Sequence, residues 1–131
     1  ENKQSIEVIK SKGIIGDRYF HDFNGELEQI TLIESENIDY YNDTFNTKFT
    51  YLEFRRNIVT KNIKLNDLVD KTIQVGNIKL KVNDLCRPCK DLQQRLGKSN
   101  IIKEFLRRGG LRCEILSSGT INVGDKISVK A

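Results

Sequence analysis

Two cysteines, Cys86 and Cys89, are spaced C-x-x-C in the stretch VNDLCRPCKDLQQRLGK, residues 82–98. This spacing occurs in redox dithiols, in half of a zinc site and in thiolate sites for other metals, and also where both cysteines are small apolar core residues. The residues that follow predict a helix over 88–96, with Pro88 at its favoured first position. Cys89 would then lie in the first helical turn, where unpaired N–H groups and flanking basic residues favour the thiolate.

The alternatives for this cysteine pair place different demands on the rest of the chain. A thioredoxin-type dithiol follows a strand in a βαβ unit, whereas here a hairpin strand precedes the pair and no parallel crossover follows. A structural zinc site needs four ligands, and the Cys and His residues of the chain do not form two close pairs. They are Cys86, Cys89, Cys113 and His21. We expect Cys113, in the strand-like segment LRCEIL, to be a core residue, and Cys86 to be a resolving thiol under oxidation.

A second segment that could bind a ligand is GIIGDRYF, residues 13–20. Gly13 and Gly16 permit a tight turn or a close approach of the backbone to a ligand, and Asp17 and Arg18 follow. The segment has neither the Lys-Ser/Thr of a P-loop nor a dinucleotide fingerprint. A simple turn, in which the aspartate caps local N–H groups, is the alternative.

Paired arginines occur in FRRNIVT, with Arg55, Arg56 and Asn57, and in LRRGGLR, with Arg108 and Gly109. Guanidinium groups bind phosphate or carboxylate in a bidentate manner, and an asparagine adds a neutral donor and acceptor. Alternation in a predicted strand would place only one of Arg55 and Arg56 on a given side. Solvated surface arginines are the alternative, and nucleic-acid binding is not expected, because the arginines are dispersed and lack interleaved aromatic residues.

Short β-type segments dominate the chain, which predicts a mostly β barrel with a few attached helices in a single domain, residues 1–131. Predicted strands lie in SIEVIK, EQITLI, RNIVT, KTIQV, IKLKV, RCEILSSG and DKISVKA. Gly76-Asn77 predicts a hairpin, and TINVG predicts a turn between the last two strands. Helices are predicted over 34–45, 88–96 and 99–108.

Composition sets few limits on function. The net charge of +4 and the pI near 9.0 suit an anionic ligand but are common among soluble domains. No apolar run approaches the roughly 18 residues of a membrane helix, and the first ten residues lack a signal-peptide core. For this reason we expect no membrane association. Three cysteines cannot all pair, so we expect a reducing, cytoplasmic environment.

Taken together, the motifs resemble the MOSC family, named after the C-terminal domain of molybdenum-cofactor sulfurase. The resemblance rests on the order GIIGDRY, ITLIESE, RRNIVT, VGNIKLKV, CRPC, RRGGLRCEIL and SGTINVGDKI, from about Gly13 to Ile127. It implies a compact, predominantly β-barrel fold with a key cysteine that matches Cys89. In family members that bind molybdenum cofactor, this cysteine is a thiolate ligand to the metal.

The resemblance further implies a binding site and two functions. The residues that match the site are Gly16, Asp17, Arg18, Arg56, Asn57, Cys86, Arg108 and Gly109, with Cys89 on the metal. We expect Arg18, Arg56 and Asn57 to line one concavity with Cys89. The first implied function is a molybdenum-cofactor (molybdopterin) oxidoreductase that reduces N-hydroxylated compounds. The alternative is a carrier or binding module in which Cys89 holds a persulfide during cofactor sulfuration.

Partners follow from the same resemblance. They are the molybdenum cofactor or its sulfur donor, together with a redox or sulfurase partner protein. Family descriptions also include pyridoxal phosphate, but no lysine here is placed like a Schiff-base residue. The larger amidoxime-reducing members have a further N-terminal β domain that helps to grip the pterin. We expect no counterpart here, so this domain would hold a cofactor alone or with a partner.

Overall fold

Nine β-strands and three α-helices make up the part of the chain that the computed structural model describes, residues 4–10, 13–15 and 30–130. The strands are β1 Ser5–Ile9, β2 Gly13–Ile14, β3 Ile30–Glu34, β4 Ile58–Thr60, β5 Thr72–Val75, β6 Ile78–Leu85, β7 Leu111–Ile115, β8 Gly119–Asn122 and β9 Ile127–Val129. The helices are α1 Ser35–Phe45, α2 Lys90–Leu96 and α3 Ile101–Glu104, and two short 3-10 turns cover Tyr51–Phe54 and Leu65–Leu68. The predicted mostly β fold with peripheral helices is confirmed.

Two sheets organise the strands. The larger sheet has the order β4-β3-β7-β6-β5-β9 and curls into half of a barrel, and the smaller has the order β2-β1-β8. The β3–β4 pair is parallel, and the other pairs are antiparallel. The predicted hairpin is confirmed, because Val75 pairs with Ile78 across a turn in which Gly76 has φ 58°.

Alternation along the strands separates two cores on the two faces of the larger sheet. Ile78, Leu80 and Val82 of β6 are buried in the first core, while Lys79 and Lys81 point to the other side. This core is aliphatic and fills the curl of the sheet. The second core lies where the helices cover Ile33 of β3, and it is rich in aromatic residues. Its aromatic members are Tyr41, Phe49, Tyr51, Phe54 and Phe105.

The predicted helices all form, but two of them are shorter than expected. Helix α1 covers nearly the whole predicted range, whereas α2 begins only after Cys89, and α3 ends at Glu104 instead of 108. The chain beyond α3 turns at once, because the N–H of Arg108 donates to the carbonyl of Phe105, and Gly109 is then held against another segment. The end of α2 at Gly97, with φ 68°, is as predicted.

Two local predictions are only partly correct, the strand over RNIVT and the turn over TINVG. Arg55 and Arg56 do not alternate in a strand, because Arg55 closes the preceding 3-10 turn with φ 55° and β4 begins only at Ile58. The segment TINVG is not simply a turn, since its first residues form β8. Ile121 in β8 is buried and pairs with Ile6 of β1, so the segment gains more from extending the smaller sheet than from turning.

Gly109 and Gly110 mark the closest backbone contact described for the glycines of the fold. A Cβ on Gly109 would lie 2.2 Å from the carbonyl oxygen of Cys86, and one on Gly110 would lie 1.8 Å from that of Leu32. Gly110 also has φ 101°, and its carbonyl accepts the N–H of Cys86 at 2.7 Å. The absence of side chains therefore lets the start of β7 lie directly on β3 and on the cysteine loop.

We predict that Gly110→Ala lowers the free energy of unfolding by roughly 3 kcal/mol, because the backbone must move to relieve the clash with Leu32. The measurement is urea denaturation. Gly97→Ala is the matched control, because Gly97 also has positive φ but no atom within 4 Å of an added Cβ. It should lose only about 1 kcal/mol, the cost of the left-handed conformation. Equal losses in the two variants would show that the contact at Gly110 does not matter.

Candidate functional site

The segment CRPC forms the loop between β6 and α2, and its two cysteines differ in exposure. Cys86 is buried, with 6% of its surface exposed, and is tied to Gly110 by its backbone N–H. Pro88 is also buried, whereas Cys89 is exposed. The loop therefore presents one thiol to solvent and encloses the other.

Cys89 is the N-cap of α2 and does not lie in the first turn, so that prediction is wrong. Its backbone is extended, with φ −125° and ψ 169°, and its carbonyl accepts the N–H of Gln93 at 3.1 Å. Pro88 belongs to the preceding loop, where it is buried, and α2 covers only the seven residues Lys90–Leu96. Cys89 still directly precedes the first turn, whose N–H groups have no partner within the helix, but its thiol makes no capping hydrogen bond.

Asp84 forms ion pairs with two arginines next to this loop. Its Oδ2 lies 3.8 Å from a guanidinium nitrogen of Arg87 and 3.7 Å from one of Arg112, and its Oδ1 accepts the N–H of Leu85 at 2.7 Å. All three charged side chains are partly exposed, so the ion pairs are worth little in stability. The ion pair with Asp84 does, however, orient the Arg87 side chain towards β6.

A row of polar side chains begins just before β4, crosses β3 and β7 of the larger sheet and ends at Asp84 of β6. Thr31 of β3 pairs with Arg112 of β7, and Arg112 pairs with Asp84 of β6. Asn57, just before β4, completes the row, since its Oδ1 accepts the backbone N–H of Thr31 at 2.8 Å and its own N–H donates to the Thr31 hydroxyl at 3.0 Å. We call Asn57, Thr31, Arg112 and Asp84 the polar row.

The polar row lies on the sheet face that also carries the aromatic core, because Thr31 and Ile33 point to the same side of β3. Of its four members, the sequence analysis identified only Asn57. Alternation marks Thr31 and Arg112 as polar positions between buried neighbours, but nothing local shows that they are adjacent.

Arg56 and Gly109, two of the predicted site residues, are in direct contact. The Nε of Arg56 donates to the carbonyl of Gly109 at 2.9 Å, and its Nη1 donates to the carbonyl of Phe54 at 3.3 Å. Because Gly109 lies on the carbonyl of Cys86, Arg56 is linked to the cysteine loop through a single residue. Two of its five N–H donors are used in these bonds, and the other three have no partner among the described residues.

Arg108 is placed differently. Its guanidinium carbon lies 4.1 Å above the ring centre of Tyr40 in α1, a cation–π contact at the edge of the aromatic core. Gly16, Asp17 and Arg18 lie outside the described residues, as does His21. Their predicted roles, and the shared concavity proposed for Arg18, Arg56, Asn57 and Cys89, stay predictions.

Cys113 is fully buried in β7, as predicted for a core residue. Burial raises the pKa of its thiol to about 12, and the nearby Cys86 thiol acts in the same direction. Within the described residues, no three Cys, His, Asp or Glu side chains are grouped as they would be around a metal ion. A metal at Cys89 would therefore take most of its ligands from elsewhere.

The fold and this loop place the chain in a known family. The family model of the MOSC domain matches residues 21–128, and the chain belongs to the MOSC domain family. Curated proteins give no match. None of the helices in the described ranges is long and apolar enough to cross a membrane.

Solved structures share the fold at low sequence identity. YuaD from Bacillus subtilis superposes with a TM-score of 0.80 at 15% identity, over 98% of this chain and 86% of that chain. YiiM from Geobacillus stearothermophilus gives 0.73 at 21% identity, over 82% and 57%. YiiM from Escherichia coli gives 0.78 at 16% identity, over 97% and 62%. The matched regions therefore span about three fifths of each YiiM chain.

The different exposure of the cysteines predicts their order of alkylation. With limiting iodoacetamide at neutral pH, Cys89 should be labelled first, because Cys86 and Cys113 are buried. Peptide mass spectrometry reads the order, and labelling in urea is the control that should equalise the three thiols. Labelling of Cys86 ahead of Cys89 would contradict this loop structure and make Cys86 the better site residue.

The buried thiol of Cys113 predicts a loss of stability at alkaline pH. In the unfolded chain this thiol ionises near its ordinary value of 9.0, whereas in the folded protein it does so only at about 12. Between these values the unfolded state holds fewer protons, so the free energy of unfolding falls as the pH rises. The fall attributable to Cys113 should approach about 1.4 kcal/mol per pH unit.

Denaturation of the wild type and of Cys113→Ala, both under reducing conditions, isolates this contribution from other titrating groups. The variant is less stable at neutral pH because it lacks the buried sulfur. The difference in free energy of unfolding between the two proteins should narrow above pH 9, the ordinary pKa of this thiol. A gap that stays constant up to pH 11 would contradict the raised pKa.

Proposed function

We propose that this MOSC domain binds molybdenum cofactor with the Cys89 thiolate as the protein's ligand to the metal, and that the loaded protein reduces N-hydroxylated compounds. The observation that carries the proposal is that Cys89 alone among the three cysteines is exposed, at the end of a loop whose other cysteine is buried. A thiolate suits a soft metal such as molybdenum.

The residues around the loop fit such a cofactor. A single protein thiolate is sufficient when the metal brings its other ligands on the cofactor, in keeping with the lack of a clustered ligand set in the described residues. Arg56 uses two of its five N–H donors in the bonds described above and would bind an anionic group with the others, and Arg112 of the polar row adds a second positive charge. The cofactor would supply the redox chemistry.

The chain's own residues would bind and orient the ligand. Arg56 would bind the cofactor phosphate from its anchored position on Gly109, and the anchoring bond would limit the entropy lost on binding. Asp84 holds Arg87 and Arg112 next to the loop and offsets part of their charge. Reduction of an N–OH group to N–H consumes two electrons and two protons and releases water, so a redox partner protein must deliver the electrons.

A persulfide carrier is the second candidate, and the same exposure of Cys89 favours it. The thiolate would attack the outer sulfur of a donor persulfide, forming Cys89–S–SH while the donor leaves as a thiolate. The exposed N-cap position lets a sulfurase partner reach the sulfur. In this function the domain would deliver sulfur to the cofactor and would have no need to retain it.

Metal and sulfur analysis of one preparation separates the two functions. We expect protein made in a cofactor-competent host to carry molybdenum, and Cys89→Ser to lose most of it, because the variant lacks the thiolate sulfur that would bind the metal. Cys86→Ala is the matched control and should retain the metal, since Cys86 is buried in the loop.

Protein without molybdenum, but with a cyanide-releasable sulfur that disappears in Cys89→Ser, would support the carrier. Absence of both would refute both functions. Loss of molybdenum in both cysteine variants would show that the loop is needed as a unit and that Cys89 is not specifically the ligand.

A further inference from the structure

A groove edged by lysines lies on the outer face of the larger sheet, far from the cysteine loop. It has a volume of about 460 Å³. The residues that line it are Asp70, Lys71, Thr72, Lys79 and Lys130. Lys79 is near the start of β6, whereas Cys86 follows its end, so seven residue steps along an extended strand, about 23 Å, separate the groove from the candidate cofactor site.

Strand register brings the groove residues together from three neighbouring strands. Lys79 and Lys81 alternate with buried residues of β6 and so point outwards. Thr72 of β5 pairs with Lys81, and its carbonyl accepts the N–H of Lys130 at 2.9 Å. Three adjacent strands thus present lysine and threonine side chains on one outer surface.

The charges of the groove are unbalanced. Lys71, Lys79 and Lys130 form no ion pair with an acidic side chain of the described residues, and only one carboxylate, that of Asp70, lines the groove, which leaves a net charge of +2. Lys81 next to it is held by the backbone carbonyl of Asp70 at 2.5 Å. The nearest opposing charge on β7, Glu114, lies across from Lys81 and not in the groove lining.

We propose that this groove is a second ligand site, which binds a small polyanion that carries at least two phosphate groups. The groove is open to solvent and small, whereas a stable protein partner would need about 800 Å² of contact surface on each side. Lysine ammonium groups bind phosphate as point charges, and three of them in one lining suit a ligand with more than one phosphate. The Thr72 hydroxyl adds a neutral donor.

Pyrophosphate is the probe, titrated into ¹⁵N-labelled full-length protein at about 0.15 M salt, which screens unspecific surface binding. The amide signals of residues 70–72, 79 and 130 should shift with one common dissociation constant. Lys79→Gln should weaken binding about tenfold, as expected for loss of one charge-assisted contact. Lys98→Gln is the matched control, because Lys98 is equally exposed but lies after α2.

Asp70→Asn should bind pyrophosphate several times more tightly, because it removes the carboxylate of the groove. Asparagine tolerates the φ of 68° at this position, so the fold should be kept, and a gain in affinity cannot come from unfolding. The proposal is overturned if millimolar pyrophosphate shifts no groove amide, if the shifts centre on Arg56 and the cysteine loop, or if Lys79→Gln and Lys98→Gln weaken binding equally.

Discussion

The contact of Gly109 and Gly110 with two other backbone segments is the constraint on which the rest of the structure depends. It fixes the start of β7 against Leu32 of β3 and against the carbonyl of Cys86. Since the N–H of Cys86 also donates to the carbonyl of Gly110, the cysteine loop is held by backbone atoms on both sides. Cys89 can therefore be exposed on a fixed loop without a side-chain bond of its own in the cap.

The two faces of the larger sheet pack against different partners. One face is aliphatic and fills the curl of the sheet, which requires only alternation of apolar residues. The other face is covered by the helices and the aromatic core around Tyr41, Phe54 and Phe105. The polar row lies on this second face, next to the loop that the glycines hold.

The two ends of β6 also differ in the charged side chains that surround them. At its end, Asp84 lies between Arg87 and Arg112, and this arrangement keeps two cations oriented beside the cysteine loop. At its start, Lys79 points outwards with no described acidic partner. A single strand thus connects two regions of different electrostatics: one in which a carboxylate lies between two arginines, and one in which lysines outnumber the single carboxylate.

The sequence by itself determined the features that depend on near neighbours in the chain. Alternating apolar residues predicted the strands, Gly76-Asn77 predicted the hairpin, and the order of motifs indicated the family, because turn chemistry and side-chain periodicity are local. Only the tertiary structure decided that Cys86 is buried while Cys89 is exposed, and that Arg112 lies between Thr31 and Asp84. These outcomes depend on which distant strands pair and in which register, and register is set by burial over the whole sheet.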